Sequence, residues 1–289
     1  MHELPVRHLT ATLSDDEVRA LKGTLLEPHQ IATIVDESEI GLMPNGKPLY
    51  ALVKGAIPYR YCHQAYPAAL QVANQPVIGG NRGDAAGVKL QPRVRKDGSL
   101  SNRLEVPFAE RLVGAKTGQF GFYDTDDGRL QGRLTDFSAT NWGLHQKLLP
   151  LARAVDRVYR IYLPEQYAPL AAAASLVNPL YLLPGTCCST GTINSCWQTA
   201  VHVDKNNFRD GLGAFTMLTA GTFSGGELAF PQFGVAVRFG MRDVLLADGN
   251  QWHGNLPITG IAGEYIRLSL IFYLREGMMK ACPAEPRAE

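Results

Sequence analysis

The chain has 289 residues, 45% of them hydrophobic and 19% charged, and its 28 basic and 27 acidic side chains leave a formal charge of +1. That length buries a large core, and near-neutral charge excludes a generic nucleic-acid coat while leaving room for a local basic groove. Five cysteines without a C-x-x-C pair, and no signal-peptide pattern at the N-terminus, read as reduced thiols in a cytoplasmic protein (or one of a host cytoplasm or nucleus) that is not secreted.

Taken in chain order, Ser14-Asp-Asp-Glu17 is a capping box, and Val18, Leu21 and Leu25 follow at helical spacing. A short helix from about Ser14 to Leu26 is expected. Residues 27 to 80 read as short strands and turns, with Asn45-Gly46 as a type I′ hairpin turn between Ile40–Leu42 and Leu49–Leu52. The glycine- and charge-rich stretch from Gly79 to Asp136 predicts long loops or short strands, and between Arg82 and Lys116 it holds eight basic against four acidic residues.

A helix is expected over Leu144 to Tyr162, with Leu148, Leu151, Ala152, Val155, Val158 and Tyr159 on one face and a break or start at Pro150. A second helix should run from Pro164 to about Val177. The apolar stretch Tyr167 to Leu183 is interrupted by Pro169, Asn178 and Pro179, too broken to span a bilayer. From Thr190 onward, short apolar or alternating runs punctuated by Gly225-Gly226, Gly240 and Asp248-Gly249 predict strands. The expected class is α+β: a jelly-roll (double-stranded β-helix, cupin-like) core braced by N-terminal and mid-chain helices. We expect one composite domain over 1–289: an N-terminal elaboration over 1–137 with possible DNA-contacting loops, supporting helices over 138–177, and the catalytic core over 178–276.

The chemistry concentrates late in the chain. His202-Val-Asp204 puts an imidazole and a carboxylate on one side of an extended segment, because side chains alternate with period two. His253 follows in Trp252-His-Gly-Asn255. Two histidines and a carboxylate occupy one face of an octahedral metal and leave the opposite positions open, which is the facial triad of non-haem Fe(II) oxygenases. Arg267-Leu-Ser269 lies inside the apolar run Tyr265 to Leu274. An arginine on a hydrophobic strand needs an anionic partner, and a carboxylate held by two parallel bonds is the natural one. In order and spacing the set resembles the 2-oxoglutarate-dependent dioxygenases. His202, Asp204 and His253 are therefore the candidate metal ligands and catalytic residues, and Arg267 with Ser269 the candidate cosubstrate grip.

A wider set of elements narrows the resemblance. Thr219-Ala-Gly-Thr-Phe-Ser-Gly-Gly-Glu-Leu-Ala-Phe-Pro231, Gly234-Val-Ala-Val237, Asp243-Val-Leu-Leu-Ala-Asp248, His253-Gly-Asn-Leu-Pro-Ile258 and Arg267-Leu-Ser-Leu-Ile-Phe-Tyr273 resemble the TET/JBP family of Fe(II)/2-oxoglutarate dioxygenases, particularly its small microbial and phage-like members. The resemblance covers about residues 178 to 276. It implies Fe(II), 2-oxoglutarate and O2 as cofactors and cosubstrates, and the 5-methyl group of a pyrimidine in DNA as the target. 5-Methylcytosine to 5-hydroxymethylcytosine stands first; thymine, or hydroxylation of a protein side chain or small molecule, is the alternative. A methyl group on a stacked base is reachable only if the nucleotide is swung out, so cationic phosphate contacts and a base pocket are required. Arg82, Lys89, Arg93, Arg95, Lys96 and Arg103 are the candidate phosphate contacts. Asn206, Asn207 and Trp252 are candidates for the base, with a turn role and simple packing as their respective alternatives. Neither a membrane nor an obligate protein partner is expected.

Overall fold

The computed structural model describes residues 3–74, 85–87, 91–105, 117–126 and 130–284, with 91–93, 102–105 and 126 described by backbone alone. The N-terminal part holds β1 (Val6–His8), α1 (Asp15–Ala20), β2 (Thr33–Val35), β3 (Glu39–Leu42), β4 (Pro48–Val53) and α2 (Tyr59–Ala73). There follow β5 (Gln91–Val94), β6 (Leu100–Glu105), β7 (Thr117–Asp126) and β8 (Leu130–Leu134), then α3 (Asp136–Thr140), α4 (Trp142–Tyr162) and α5 (Pro164–Ser175). The C-terminal part is β9 (Thr190–Ser195), β10 (Gly213–Gly225), β11 (Leu228–Phe230), β12 (Val235–Val237), β13 (Val244–Ala247), β14 (Gly254–Asn255), β15 (Ile258–Tyr273) and α6 (Met278–Ala281).

Two sheets make a jelly-roll core. The larger runs β1-β3-β4-β13-β10-β15-β9-β7-β8, the smaller β14-β11-β12-β2, and β5 and β6 form a separate hairpin. Strand alternation sorts the larger sheet into two faces. Tyr50, Leu52, Phe215, Met217, Leu245 and Ala247 point inward and pack on Leu228, Phe230, Val235 and Val237 of the smaller sheet. Their neighbours Ala51, Val53, Ala214, Leu218, Val244, Leu246, Leu268 and Leu270 face outward, into a cluster shared with α2, α4 and α5. β4 and β13 are thus apolar throughout because both their faces are covered. The N-terminal strands complete both sheets: β4 pairs with β13, and β2 pairs in parallel with β12.

Several local readings need correction. The capping box is formed, with Ser14 Oγ accepting from Glu17 N and Ser14 N donating to Glu17, but the helix ends at Ala20. The hairpin between β3 and β4 lies at the expected place with another turn. Gly46 N donates to Met43 O and Met43 N to Lys47 O, while Gly46 alone takes a positive φ of 78°. A type I′ turn on Asn45-Gly46 needs positive φ at both, which Asn45 does not take; instead Pro44 and Asn45 are the central residues of a type I turn closed by the left-handed Gly46. Residues 59–73 form a helix where short strands were expected, because Cys62, Ala65, Ala68, Ala69 and Val72 fall on one buried stripe against α4. Pro150 lies inside α4 rather than breaking it. The buried flank Leu148, Leu149, Leu151 and Ala152 offsets a penalty of about 3 kcal/mol for an interior proline.

His145 of α4 is fully buried, stacked on Trp142 at 4.5 Å and edge-on to Phe120 at 5.9 Å. Its Nδ1 lies 2.8 Å from Ser138 Oγ, while Nε2 is buried without a hydrogen-bond partner among the described residues. Burial pushes the imidazole down from 6.5 to about 4. The unfolded chain therefore binds a proton between those values that the folded chain does not, so His145 lowers stability as pH falls from 6.5 to 4. His145→Asn should show a shallower fall of melting temperature across that window; an identical slope would show that His145 titrates normally.

Candidate metal centre

His202 and His253 face each other across a two-way backbone pair: each N–H donates to the other's carbonyl at 2.9 Å. Their rings stand 4.4 Å apart. Each Nδ1 is bonded to a backbone oxygen two residues earlier, Ala200 O at 2.8 Å and Gln251 O at 2.9 Å. A carbonyl only accepts, so both Nδ1 atoms carry the proton and both Nε2 atoms keep a free lone pair. Asp204 Oδ1 lies 3.5 Å from His202 Nε2 and 3.9 Å from His253 Nε2. One ligand atom from each residue falls within 4.8 Å of the others, close enough to share an ion. Burial, and next the neighbouring His202, push the His253 imidazole down to about 4, which keeps it neutral as a ligand must be. Asp204 has 27% of its side chain exposed against 5% for His253, so the group opens on the Asp204 side.

Local backbone fixes this arrangement. Asp204 N donates to Gly249 O, and a Cβ at Gly249 would stand 2.7 Å from Asp204 Oδ2. A larger residue there would push the Asp204 carboxylate aside. Asn207 Nδ2 donates to Asp204 Oδ2 at 2.9 Å, orienting the carboxylate. Asn206 takes a left-handed φ of 70° and its carbonyl accepts from Glu276 N, a turn role. Bonds to ligating groups of this kind set metal affinity. Asn207→Ala should accordingly weaken Mn(II) binding roughly 10–100-fold, measured by calorimetric titration; an unaltered affinity would make the contact incidental.

Arg267 and Ser269 alternate with Leu268 and Leu270 on β15 and therefore share the inner face of the sheet, opposite Thr219 and Met217 of β10. Arg267 is completely buried. Its Nη2 donates to Gly226 O at 2.6 Å, but Nε and Nη1 have no hydrogen-bond partner among the described residues. Desolvation pushes the guanidinium down to about 10. A buried cation with two uncommitted donors is costly unless an anion sits beside it, so this residue suits a ligand carboxylate. The donor set suits iron: two imidazoles and one carboxylate leave coordination positions for a chelating 2-oxo acid and O2.

The other candidates fall elsewhere. Trp252 packs against Leu26, Val201, Ala229, Ala236 and Leu256. Arg95 and Lys96 are exposed at the β5–β6 turn, Arg93 and Arg103 lie on β5 and β6, and Arg82 and Lys89 lie outside the described residues. Sequence reasoning missed a polar row on the same inner face. Tyr273 and Arg275 continue the alternation that begins at Arg267, and period two carried past Ser269 would have found them. Gln119 Nε2 donates to the Tyr273 hydroxyl at 3.1 Å and to Thr192 Oγ1 at 3.3 Å, and Arg275 pairs with Asp124. Among the described residues no helix is long and apolar enough to cross a membrane.

The bifunctional helicase and thymine dioxygenase JBP2 of Leishmania tarentolae is 37% identical over 174 residues, 59% of this chain and 16% of that protein. The JBP2 of Trypanosoma brucei brucei is 29% identical over 262 residues, 87% of this chain and 21% of that protein. The chain thus spans about a fifth or less of these relatives. A structure of NgTET1 in complex with 5mC DNA superposes with a TM-score of 0.55 at 13% identity, covering 86% of this chain and 84% of that one, which establishes a shared fold. Residues 127–276, about half of the chain, match the sequence model of the Tet_JBP family, described as the oxygenase domain of the 2OGFeDO superfamily; the chain belongs to that family, whose superfamily uses Fe(II), 2-oxoglutarate and O2.

Proposed function

We propose that this chain hydroxylates the 5-methyl group of a pyrimidine in DNA, with thymine as the first substrate. The observation that carries the oxygenase chemistry is the buried Arg267, two of its donors uncommitted, on a sheet face beside a His-Asp-His group. The curated relatives named as thymine dioxygenases favour thymine, and they reverse the order of preference read from the sequence. NgTET1, solved with 5mC DNA, keeps 5-methylcytosine as the second reading.

In this reading His202, Asp204 and His253 hold Fe(II), which with 2-oxoglutarate and O2 supplies the oxidising power to turn a C–H bond into C–OH, releasing succinate and carbon dioxide. The two Nδ1 hydrogen bonds hold the imidazoles with Nε2 toward the metal. Arg267, with the Ser269 hydroxyl, fixes the far carboxylate of the cosubstrate. Phe230, whose ring lies 6.2 Å from that of His253, helps keep water out on the inner side. The target nucleotide must leave the stack, and the row Gln119, Thr192, Tyr273 and Arg275 offers the polar groups a pyrimidine edge needs. Arg95 and Lys96, with Arg82, Lys89, Arg93 and Arg103, are assigned to phosphates. The pairing of β2 and β4 into the two sheets supports reading the chain as one composite unit, and the five unpaired cysteines support an intracellular setting.

The test is nucleoside mass spectrometry after incubating DNA that contains thymine and 5-methylcytosine with protein, Fe(II), 2-oxoglutarate and air. We expect 5-hydroxymethyluracil. Both bases unchanged while succinate accumulates would point instead to a protein side chain or small molecule as substrate.

A further inference from the structure

Asn255 lies two residues beyond His253 on β14, its side chain buried. Thr199 Oγ1 donates to Asn255 Oδ1 at 2.6 Å. The opposite end, Nδ2, donates to Gly226 O at 3.1 Å and Glu227 O at 3.3 Å. Gly226 O is also the acceptor for Arg267 Nη2. One carbonyl oxygen therefore receives both the asparagine amide and the guanidinium.

That carbonyl belongs to a segment with little stiffness of its own. Gly225 and Gly226 both take left-handed φ values, 78° and 77°, a conformation glycine adopts freely and leaves as freely. The Gly226 peptide also lies directly against the guanidinium, since a Cβ there would come within 2.8 Å of Arg267 Nε. Backbone bonds from Gly226 N to Pro257 O and from Leu256 N to Glu227 O hold the segment at its edges. The Gly226 oxygen itself is gripped from the side by Asn255.

We infer that Asn255 is a positioning residue for the cosubstrate: it holds the Gly226 carbonyl where that oxygen takes one arm of Arg267, leaving Nε and Nη1 for the far carboxylate of 2-oxoglutarate. This rests on the oxygenase reading above and adds to it a direct link between the segment that carries His253 and the arginine that grips the cosubstrate. The two carbonyls only accept, so they turn Nδ2 toward themselves, and the Thr199 hydroxyl, donating to Oδ1, anchors the other end of the amide.

The experiment uses the full chain loaded with Mn(II), which does not turn over. Calorimetric titrations of Mn(II), of 2-oxoglutarate and of oxalate are compared for the parent, Asn255→Leu and Thr199→Val. Oxalate chelates the metal as 2-oxoglutarate does but has no far carboxylate. We expect 2-oxoglutarate affinity to fall tenfold or more in Asn255→Leu and by a smaller factor in Thr199→Val, with Mn(II) and oxalate affinities within about threefold of the parent, a spread of under 1 kcal/mol. Should Asn255→Leu not fold, Asn255→Asp replaces it, because it keeps the size and sets an oxygen against the two carbonyls. Equal loss of 2-oxoglutarate and oxalate would reduce Asn255 to a structural residue, and unchanged 2-oxoglutarate affinity would overturn the inference. A parent protein that binds Mn(II) and oxalate but not 2-oxoglutarate would refute the oxygenase reading, and this inference with it.

Discussion

Arg267→Met should lose 2-oxoglutarate binding and yet melt at or above the temperature of the parent when both are free of ligand. The two effects have one cause. The guanidinium is fully buried, donates from Nη2 to Gly226 O, and finds no partner for Nε and Nη1 among the described residues. Removing a charge from water costs several kcal/mol that only an anion repays. Methionine of similar length fills the space without that cost, and Gly226 O keeps its bond from Asn255. In the ligand-bound state the balance reverses: even one charge-assisted bond to the carboxylate is worth roughly 1.5–3 kcal/mol, a factor of about 10 to 150, so with both donors removed affinity should fall by at least that much. Scanning fluorimetry without ligand and calorimetry with 2-oxoglutarate on Mn(II)-loaded protein check the two halves. A variant that melts well below the parent would mean the arginine is paid for by contacts within the fold, and undiminished 2-oxoglutarate affinity would place the cosubstrate elsewhere.

Asp204→Ala carries the second large expectation: loss of tight metal binding with the fold intact. Asp204 provides the only carboxylate of the group, and its neutralising charge is what an Fe(II) ion between two neutral imidazoles requires. Contacts that merely orient a ligand are worth 10–100-fold in metal affinity, so deleting the ligand itself should exceed roughly 100-fold. The backbone bond from residue 204 to Gly249 O does not depend on the side chain, and the space Gly249 leaves for the carboxylate would only be emptied. Near-parental Mn(II) affinity or product yield in this variant would contradict the assignment.

The candidate site was more legible in the sequence than its surroundings. His202 with Asp204, and Arg267 with Ser269, stand out because each pair is spaced by two in extended chain, which is local information, while His253 stands out by type and order. The strands after Thr190 were visible for the same reason, although β10 and β15 run longer than their apolar stretches suggest. Helix α2 was hidden because its buried stripe is mostly alanine and cysteine, interrupted by Pro67, so no strong periodic signal marks it. The contacts that tune the site were out of reach for another reason. Asn207 on Asp204, Gly249 beneath it, and Asn255 with Arg267 on one carbonyl depend on which strands are neighbours and in what register, and register is a property of the assembled sheets. Tyr273 and Arg275 lie between these cases: alternation alone points to them, but their partners Gln119 and Asp124 come from β7, 154 and 151 residues away in the chain.

The claim on which the rest depends is that one metal ion and one 2-oxo diacid share this site. Anaerobic calorimetry with Fe(II) followed by 2-oxoglutarate measures it most directly. The account predicts one Fe(II) per chain and one 2-oxoglutarate that binds tightly only after the metal is in place. Absence of metal binding, or 2-oxoglutarate binding that is indifferent to the metal, would contradict it.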